Sequence, residues 1–484
     1  MPIAPVIVWF RADLRLADHC ALGAAVESGA PLVALFILDD ANPGKWAPGA
    51  ASRWWLHQSL TALARDIEDR GGRLVLRRGA ISDELPRLVA EAGASAVYFS
   101  RSYEPWAVAL EQDLKRRLDA DGIAFKRYGG ALLREPEHVR TKSGDAFKVY
   151  TPFWRALSAG FEPSRPLGKP AAISPPTKKL ASDRLASWQL LPTKPDWSGA
   201  MKNAWQPGEA GAQKRLKHFL ATGLKSYAED RNRPDRQGTS RLSPHLHFGE
   251  ITPAACWTAA VAAAAEQGGA DKGLETFLKE IVWREFSTSL LFHWPDLPDA
   301  PFRKEFAAFP WKIDAAHLKA WQRGKTGYPI VDAGMRELWS TGYMHNRVRM
   351  VAASFLIKHL LIPWQQGEAW FWDTLVDADL ANNAASWQWV AGSGADAAPY
   401  FRIFNPVVQG EKFDPDGTYV SRWVPELKRL PASAIHAPWL APAEILASAG
   451  VTLGKTYPAP IVDHQTARAR ALSAYGAVKS AAEK

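Results

Sequence analysis

Cysteine is almost absent: Cys20 and Cys256 are the only two in 484 residues. Two thiols cannot build a disulfide framework or a cysteine-based metal site, so a reducing cytoplasm is expected and no metal is. Long apolar runs are also scarce. The one such stretch, around Ala254 to Ala265, is alanine-rich and well short of the ~20 residues that cross a bilayer, so no membrane partner is expected. The N-terminal MPIAPVIVWFR has neither a basic leader nor a small-residue cleavage site, and no secretory signal is expected. No GxGxxG follows the first apolar run, which argues against a dinucleotide at that turn. Internal repeats and low-complexity tracts are missing too.

What is present is ordinary globular composition, 47% apolar and 23% charged. At ~150 residues per domain the length favours about three domains, or two large ones. Two numbers stand apart, a net charge of +9 and 22 tryptophans. Residues 1–130 hold 16 basic and 16 acidic residues, 131–200 hold 11 against 6, and 201–484 hold 32 against 28. The excess therefore lies wholly after residue 130. A diffuse excess suits a solvated surface as readily as an anionic partner. Ten tryptophans fall between Trp283 and Trp389. Core packing is the default for such a cluster.

The first 130 residues alternate buried-strand runs with amphipathic helical segments. The strand runs are Pro5 to Phe10, Leu32 to Leu38, Arg73 to Arg77, Ala96 to Ser100 and Ile123 to Arg127; Trp54 to Arg70 and Trp106 to Asp119 read as helices. This pattern predicts a doubly wound, Rossmann-like parallel α/β domain. Residues 131–200 carry nine prolines and read as a long surface connector. From about Ala210 the apolar period becomes 3.6, with Leu216, Phe219, Leu220 and Leu224 on one stripe and Gly223 placed to turn it. Further helices are predicted over Leu274 to Leu291, Ile330 to Ser340 and Met344 to Leu361. The second large domain, 201–475, is expected to be all-α, with a short tail at 476–484.

Several segments could carry chemistry. TSRLS, Thr239 to Ser243, offers hydroxyls and backbone N–H groups at a helix start; it suits a phosphate or a plain N-cap. His245 and His247 have no further ligands at metal spacing and read as structural. Glu280, Trp283 and Arg284 share one helical face. That face could grip a flat polar ligand or simply hold an ion pair beside an indole. TGYMHNRVRM and the segment Asp373 to Phe413 place dense polar groups beside an apolar helix, which is expensive to bury unless something binds there.

The motifs WFRADLR, TSRLS, WREF, KTGYPIVDAGMR, MHNRVRM, DADLANN, WQWVAGSGADAAPYFRIFNP and QGEKFD, in this order, resemble the DNA photolyase/cryptochrome family over nearly the whole chain. WWLHQSL, LLPTKPDW and LGKTYPAPIVDH further resemble the bacterial class III cyclobutane pyrimidine dimer photolyases. The resemblance implies an N-terminal antenna domain, a C-terminal helical FAD-binding domain, and light-driven electron transfer from reduced flavin to a pyrimidine dimer flipped out of UV-damaged DNA. Tyr227 and Thr239, Ser240, Arg241, Leu242 and Ser243 are then expected to hold the FAD phosphates and ribityl chain. Arg284, Arg349, Asp377, Ala378 and Asp379 are expected nearer the ring, with Arg349 and Asp377 as an ion pair and Asn383 facing N5. Trp283 and Trp389 are expected to wall the lesion, Glu280 to hydrogen-bond its carbonyls, and Asn346 and Met350 to complete the cavity. Relatives that repair (6-4) photoproducts typically carry histidines at the last two positions.

Arg231, Arg347, Arg402 and Gln409 are the expected DNA contacts, beside Glu280, Trp283, Arg284 and Asn346. Trp387, Trp364 and Trp311 match the electron-transfer triad of the family. Trp339, Trp370 and Trp372 suit core packing or a branch of that path. An antenna is expected in the α/β domain. Class III relatives use 5,10-methenyltetrahydrofolate, but Ala107 stands where enterobacterial-type enzymes have a folate-binding glutamate. Folate, in another pose, is the expected antenna; a deazaflavin or an empty site are the alternatives. The enzyme expected is a monomeric, cytoplasmic bacterial photo-lyase, nucleoid-associated on DNA. The alternatives are a blue-light cryptochrome receptor, a (6-4) photolyase, or a flavin or nucleotide binder with no DNA role. Asn383, Asn346 and Met350 favour dimer repair.

Overall fold

The computed structural model describes residues 3–397 and 401–482. Positions 398–400, inside the WQW…FNP motif, and the last two residues of the tail lie outside the described residues. Five parallel strands form one sheet in the order β3-β2-β1-β4-β5: β1 (Val6–Phe10), β2 (Leu32–Leu38), β3 (Leu74–Arg78), β4 (Ala96–Ser100) and β5 (Ala124–Tyr128). Each predicted strand is present, displaced by at most one residue. Val8 sits between Ala34 of β2 and Tyr98 of β4, so β1 is central and buried along its whole length. That burial explains why its sequence is a continuous apolar run without alternation.

The chain divides into two compact units. The first comprises Met1–Lys225, Ser240–Pro295 and Val376–Leu380; the second comprises Ser226–Thr239, Asp296–Leu375 and Ala381–Lys484. These units cut across the sequence divisions at 130 and 200. In the first unit, the sheet carries α1 (Cys20–Glu27), α2 (Ala50–Glu68), α3 (Ile81–Ala92) and α4 (Pro105–Ala120). Leu85, Leu88, Leu114 and Leu118 of α3 and α4 bury against Ile7, Trp9, Val33 and Leu35 on one sheet face. There follow α5 (Tyr150–Ser158), α6 (Glu209–Thr222), α7 (Ser243–His247), α8 (Pro253–Gln267) and α9 (Asp271–His293). Gly223 closes α6 as expected.

The connector runs over the surface and is also bonded to the sheet. Leu32 N donates to Ser174 O at 2.7 Å, Asp183 N to Leu76 O at 2.8 Å, and Leu76 N to the Ser182 hydroxyl at 2.9 Å. These bonds occupy backbone groups on β2 and on the edge strand β3 that would otherwise stay open to another chain.

WFRADLR works as a brace. Arg11 leaves the end of β1 to reach the Ser100 carbonyl on β4 and Glu111 on α4. Arg15 donates to Gly249 O at 2.8 Å, and Leu14 N to Phe248 O at 3.0 Å. The segment after α7 is thereby stitched to the end of the central strand. Glu250 completes the stitch. Its carboxylate is fully buried and accepts from Trp55 Nε1 at 3.0 Å, Gly208 N at 2.7 Å and the Ser59 hydroxyl, with His245 Nδ1 alongside.

The second unit is helical: α10 (Pro329–Thr341), α11 (Asn346–Ser354), α12 (Trp364–Thr374), α13 (Leu380–Ala391), α14 (Pro406–Phe413) and α15 (His464–Ala482) are its main elements. One helix was expected from Met344 to Leu361. Instead α11 stops at Ser354 and Phe355–His359 form a π turn, all five residues buried. Lys358 is buried there, its ammonium reaching the Arg402 carbonyl and lying 4.4 Å from the Phe401 ring centre. A widened turn lets a cationic side chain in an apolar run find a carbonyl. Among the described residues, no helix is long and apolar enough to cross a membrane.

Replacing Glu250 with alanine leaves buried donors from three elements without an acceptor. The expected loss is about 3–5 kcal/mol of stability, read as a lower midpoint in urea denaturation. A midpoint equal to wild type would show that the carboxylate carries no such load.

Candidate functional site

The residues singled out in the sequence fall on both units. On the first, the loop Ser240 to Ser243 leads into α7. Arg241 adopts a left-handed backbone, φ 53°, which turns the loop, and its guanidinium lies 4.2 Å from the Trp205 ring centre. The Ser243 hydroxyl donates to Asp377 Oδ2 at 2.6 Å. Asp377, Ala378 and Asp379 form the turn before α13. His247 Nδ1 lies 4.0 Å from Asp379 Oδ2, and burial lowers the His247 pKa against the pull of that carboxylate. Burial likewise raises the pKa of Glu104, with Asp379 adding to the rise. Burial thus pushes both His247 and Glu104 toward their neutral forms. Among the described residues, no group of three or more histidine, cysteine or acidic side chains is placed to hold a metal ion.

Glu280, Trp283 and Arg284 lie on α9, all partly exposed. Arg284 Nη1 donates to Ala131 O at 2.7 Å. Its neighbour Glu285 is buried and accepts from Leu133 N at 2.8 Å. Trp283 is stacked face to face on Tyr150 of α5.

On the second unit, Tyr227 is buried at the start of a short helix, Tyr227–Asp230, capped by Arg231. The helix α11 carries Asn346, Arg347, Arg349 and Met350 in one turn. Asn346 is exposed and Met350 partly exposed. Arg347 donates to Asn232 Oδ1 at 2.5 Å and lies 4.5 Å from the Phe413 ring centre. Arg349 donates to Met344 O at 2.7 Å. His345 caps this helix: its Nδ1 accepts from Arg347 N at 3.2 Å. Arg402 is exposed and Gln409 sits on α14.

Asn383, on α13, is buried, and its Nδ2 donates to Glu368 O at 3.0 Å. That bond turns the amide oxygen into the group available to accept. Trp389 is partly exposed and donates to Asp396 O at 3.0 Å. Trp387 is buried, with Phe371 and Trp321 at centroid distances of 5.0 and 6.2 Å. Gly367 makes this possible, because a Cβ there would stand 2.1 Å from the Trp387 ring. Trp364 is buried on α12, and Trp311 packs on Phe309 at 4.3 Å. Trp339 is 56% exposed and stacks on Trp370 at 5.9 Å.

Two family models match the chain: DNA photolyase over residues 6–172, and the FAD binding domain of DNA photolyase over residues 277–477. The chain is 54% identical to the deoxyribodipyrimidine photo-lyase of Agrobacterium fabrum, across 98% of each chain. The chain belongs to the DNA photolyase/cryptochrome family. A crystal structure of a bacterial class III photolyase from Agrobacterium tumefaciens superposes with a TM-score of 0.96 at 53% identity, covering 99% of this chain and 98% of that one. Cryptochrome-1 of Arabidopsis thaliana is 41% identical over 96% of this chain and 69% of its own length. Family membership brings the helical FAD-binding domain, and the residues fit FAD. Residues 239–243 offer hydroxyls and a left-handed turn without a carboxylate, and Asn383 presents an amide acceptor suited to a ring N–H.

Sequence reasoning did not single out Asn232, His345, Gly367 or Tyr150. They act through neighbours distant in sequence, through a cap or through a missing side chain, and only the fold exposes them. His345 carries a pH signature. Burial, reinforced by Arg347 and Arg349, pushes its pKa down to about 3. A histidine depressed in the folded state stabilises above its ordinary value near 6.5 and loses that contribution as pH falls through the window between 6.5 and 3. The expected loss between pH 7 and 5 is about 1–2 kcal/mol. His345→Asn keeps a capping acceptor and should flatten that slope in denaturation curves taken across the range.

Proposed function

We propose that this chain is a light-dependent DNA repair enzyme, a deoxyribodipyrimidine photo-lyase that splits cyclobutane pyrimidine dimers. The near-full-length likeness to the Agrobacterium photo-lyase carries this reading. When bound in reduced form, FAD would supply light-driven electron transfer that returns the electron, with no net redox change. The protein supplies position and electrostatics. Ser240 and Ser243, with Thr239, Arg241, Leu242 and Tyr227, hold the phosphates and ribityl chain. Arg284, Arg349, Asp377, Ala378 and Asp379 set the charge around the ring. Asn383 would hold the flavin ring with an amide that cannot ionise, which would suit an anionic reduced form.

The dimer leaves the duplex at low cost because its stacking is already weakened. Trp283 and Trp389 give it apolar walls. Glu280 meets the pyrimidine carbonyls and stabilises the charge that develops there. Asn346 and Met350 shape the pocket for a dimer. Arg231, Arg347, Arg402 and Gln409 grip the backbone, so binding falls steeply with salt. Trp387, Trp364 and Trp311 carry electrons inward to activate resting flavin. A methenyltetrahydrofolate antenna on the sheet domain, a monomeric state and a cytoplasmic site of action complete the reading. The asparagine at 383 sets repair above blue-light signalling.

Under blue light the flavin-loaded protein should remove cyclobutane dimers from an oligonucleotide and leave (6-4) photoproducts intact, by product chromatography. No light-dependent loss of dimers would sink the repair reading. Glu280→Ala should lower repair per absorbed photon about tenfold or more while changing DNA affinity less, since removing one group that stabilises developing charge costs about 10²–10³ in rate where it is fully engaged. An unchanged yield would remove Glu280 from the chemistry.

A further inference from the structure

The proline-rich connector carries one aromatic residue placed with unusual definition. Tyr150 is 7% exposed at the start of α5. Its ring lies flat on the Trp283 indole, with centroids 3.7 Å apart and planes 6° from parallel. Its hydroxyl donates to Lys279 O at 2.6 Å. Lys279 is one turn before Trp283 on the same helix, so the tyrosine is registered on α9 at two points, a carbonyl and a ring face. Phe286 closes the cluster edge-on, 5.9 Å from Tyr150 and 5.8 Å from Trp283, with Phe153 of α5 5.2 Å behind it.

A flat ring has two faces. Tyr150 covers one face of Trp283, so a pyrimidine that stacks on this indole meets the other. We propose that Tyr150 is a positioning residue for lesion recognition: it fixes the plane of Trp283 in advance, so that an extruded dimer docks on a rigid wall. The proposal rests on Trp283 being that wall. Without Tyr150 the indole loses its stacked partner and gains freedom about χ1 and χ2, and stacking must offset the entropy lost in immobilising it. The contribution belongs to the extruded lesion and not to the backbone grip, so it acts on discrimination rather than on general DNA affinity. The ring face is the active element. The hydroxyl only sets the register.

The test uses the full-length, flavin-loaded protein and two oligonucleotides, one with a single thymine dimer and one undamaged. The readout is the ratio of the two dissociation constants. Tyr150→Leu should lower the ratio about three- to tenfold, the range that an aromatic pair contributes, with affinity for undamaged DNA within about twofold of wild type. Tyr150→Phe keeps the face and should restore the ratio to within about twofold. Tyr150→Met fills a similar volume and replaces the leucine variant should that one lose flavin or fold. Wild-type discrimination in a folded leucine or methionine variant overturns the proposal, as does a phenylalanine variant that fails equally. Trp283→Ala separates the two readings. If it leaves discrimination unchanged, Trp283 is not the wall and the underlying assignment falls; if it abolishes discrimination while Tyr150→Leu does not, only the positioning role falls.

Discussion

The first unit depends on one buried carboxylate. Glu250 sits where α2, the turn before α6 and the residue two past Ser243 converge, and it satisfies donors from all three. A lone carboxylate there would be among the most costly groups a fold can bury. Surrounded by an indole N–H, a hydroxyl, a backbone N–H and an imidazole, it becomes a joint that only one arrangement satisfies. It ties α2 to the α6 and α7 segments, which belong to the same compact unit as the sheet. The Ser240 to Ser243 loop inherits its position from that joint through His245, and from Arg15 through Gly249.

The two unusual numbers of the composition resolve into specific work. Trp9, Trp54, Trp55 and Trp321 are fully buried packing residues. Even among them, polar handles are used: Trp55 donates to Glu250, and Trp321 to Ala352 O at 2.9 Å. The positive charge is likewise partly structural. Arg11, Arg15 and Arg284 end on backbone carbonyls, where the guanidinium fork serves as a multi-point brace. Bulk charge therefore says little about the DNA-facing surface. The arginines proposed to face DNA are single residues such as the exposed Arg402 and the half-buried Arg347, which donates to Asn232.

Much of the fold was legible because burial writes itself into hydrophobic pattern. The five strands read as continuous apolar runs, and each appears within a residue of its expected place. The helices α9 and α10 follow their 3.6-residue stripes. The π turn at Phe355–His359 was not legible, since FLIKH keeps a helical pattern and nothing local announces the widened turn. The connector hid its role for a different reason. Its bonds to β2 and β3 are made largely by backbone, which leaves no periodicity in side chains. Site residues were legible only as motifs. Glu280, Trp283 and Arg284 do share a helix, but their partners Tyr150 and Ala131 lie more than 120 residues away in sequence, and spacing rules reach only along one element.

The residues proposed to meet the lesion are mounted in the same way on their separate helices. Glu280, Trp283, Asn346, Met350 and Trp389 keep exposed or partly exposed side chains, yet each stands on a helix whose opposite side is buried. Helix mounting holds a group within the narrow tolerance that docking and electron transfer demand, which loops seldom achieve. The supporting contacts then act on orientation: Tyr150 behind Trp283, Asp396 on the Trp389 indole N–H, His345 at the start of the helix bearing Asn346 and Met350. An extruded dimer has lost its stacking partners in the duplex. Under the role proposed for Trp283, a ring pre-oriented by Tyr150 replaces that stacking with little further entropy loss of its own, and selectivity for the lesion would then come from rigidity as much as from the chemistry of any one side chain.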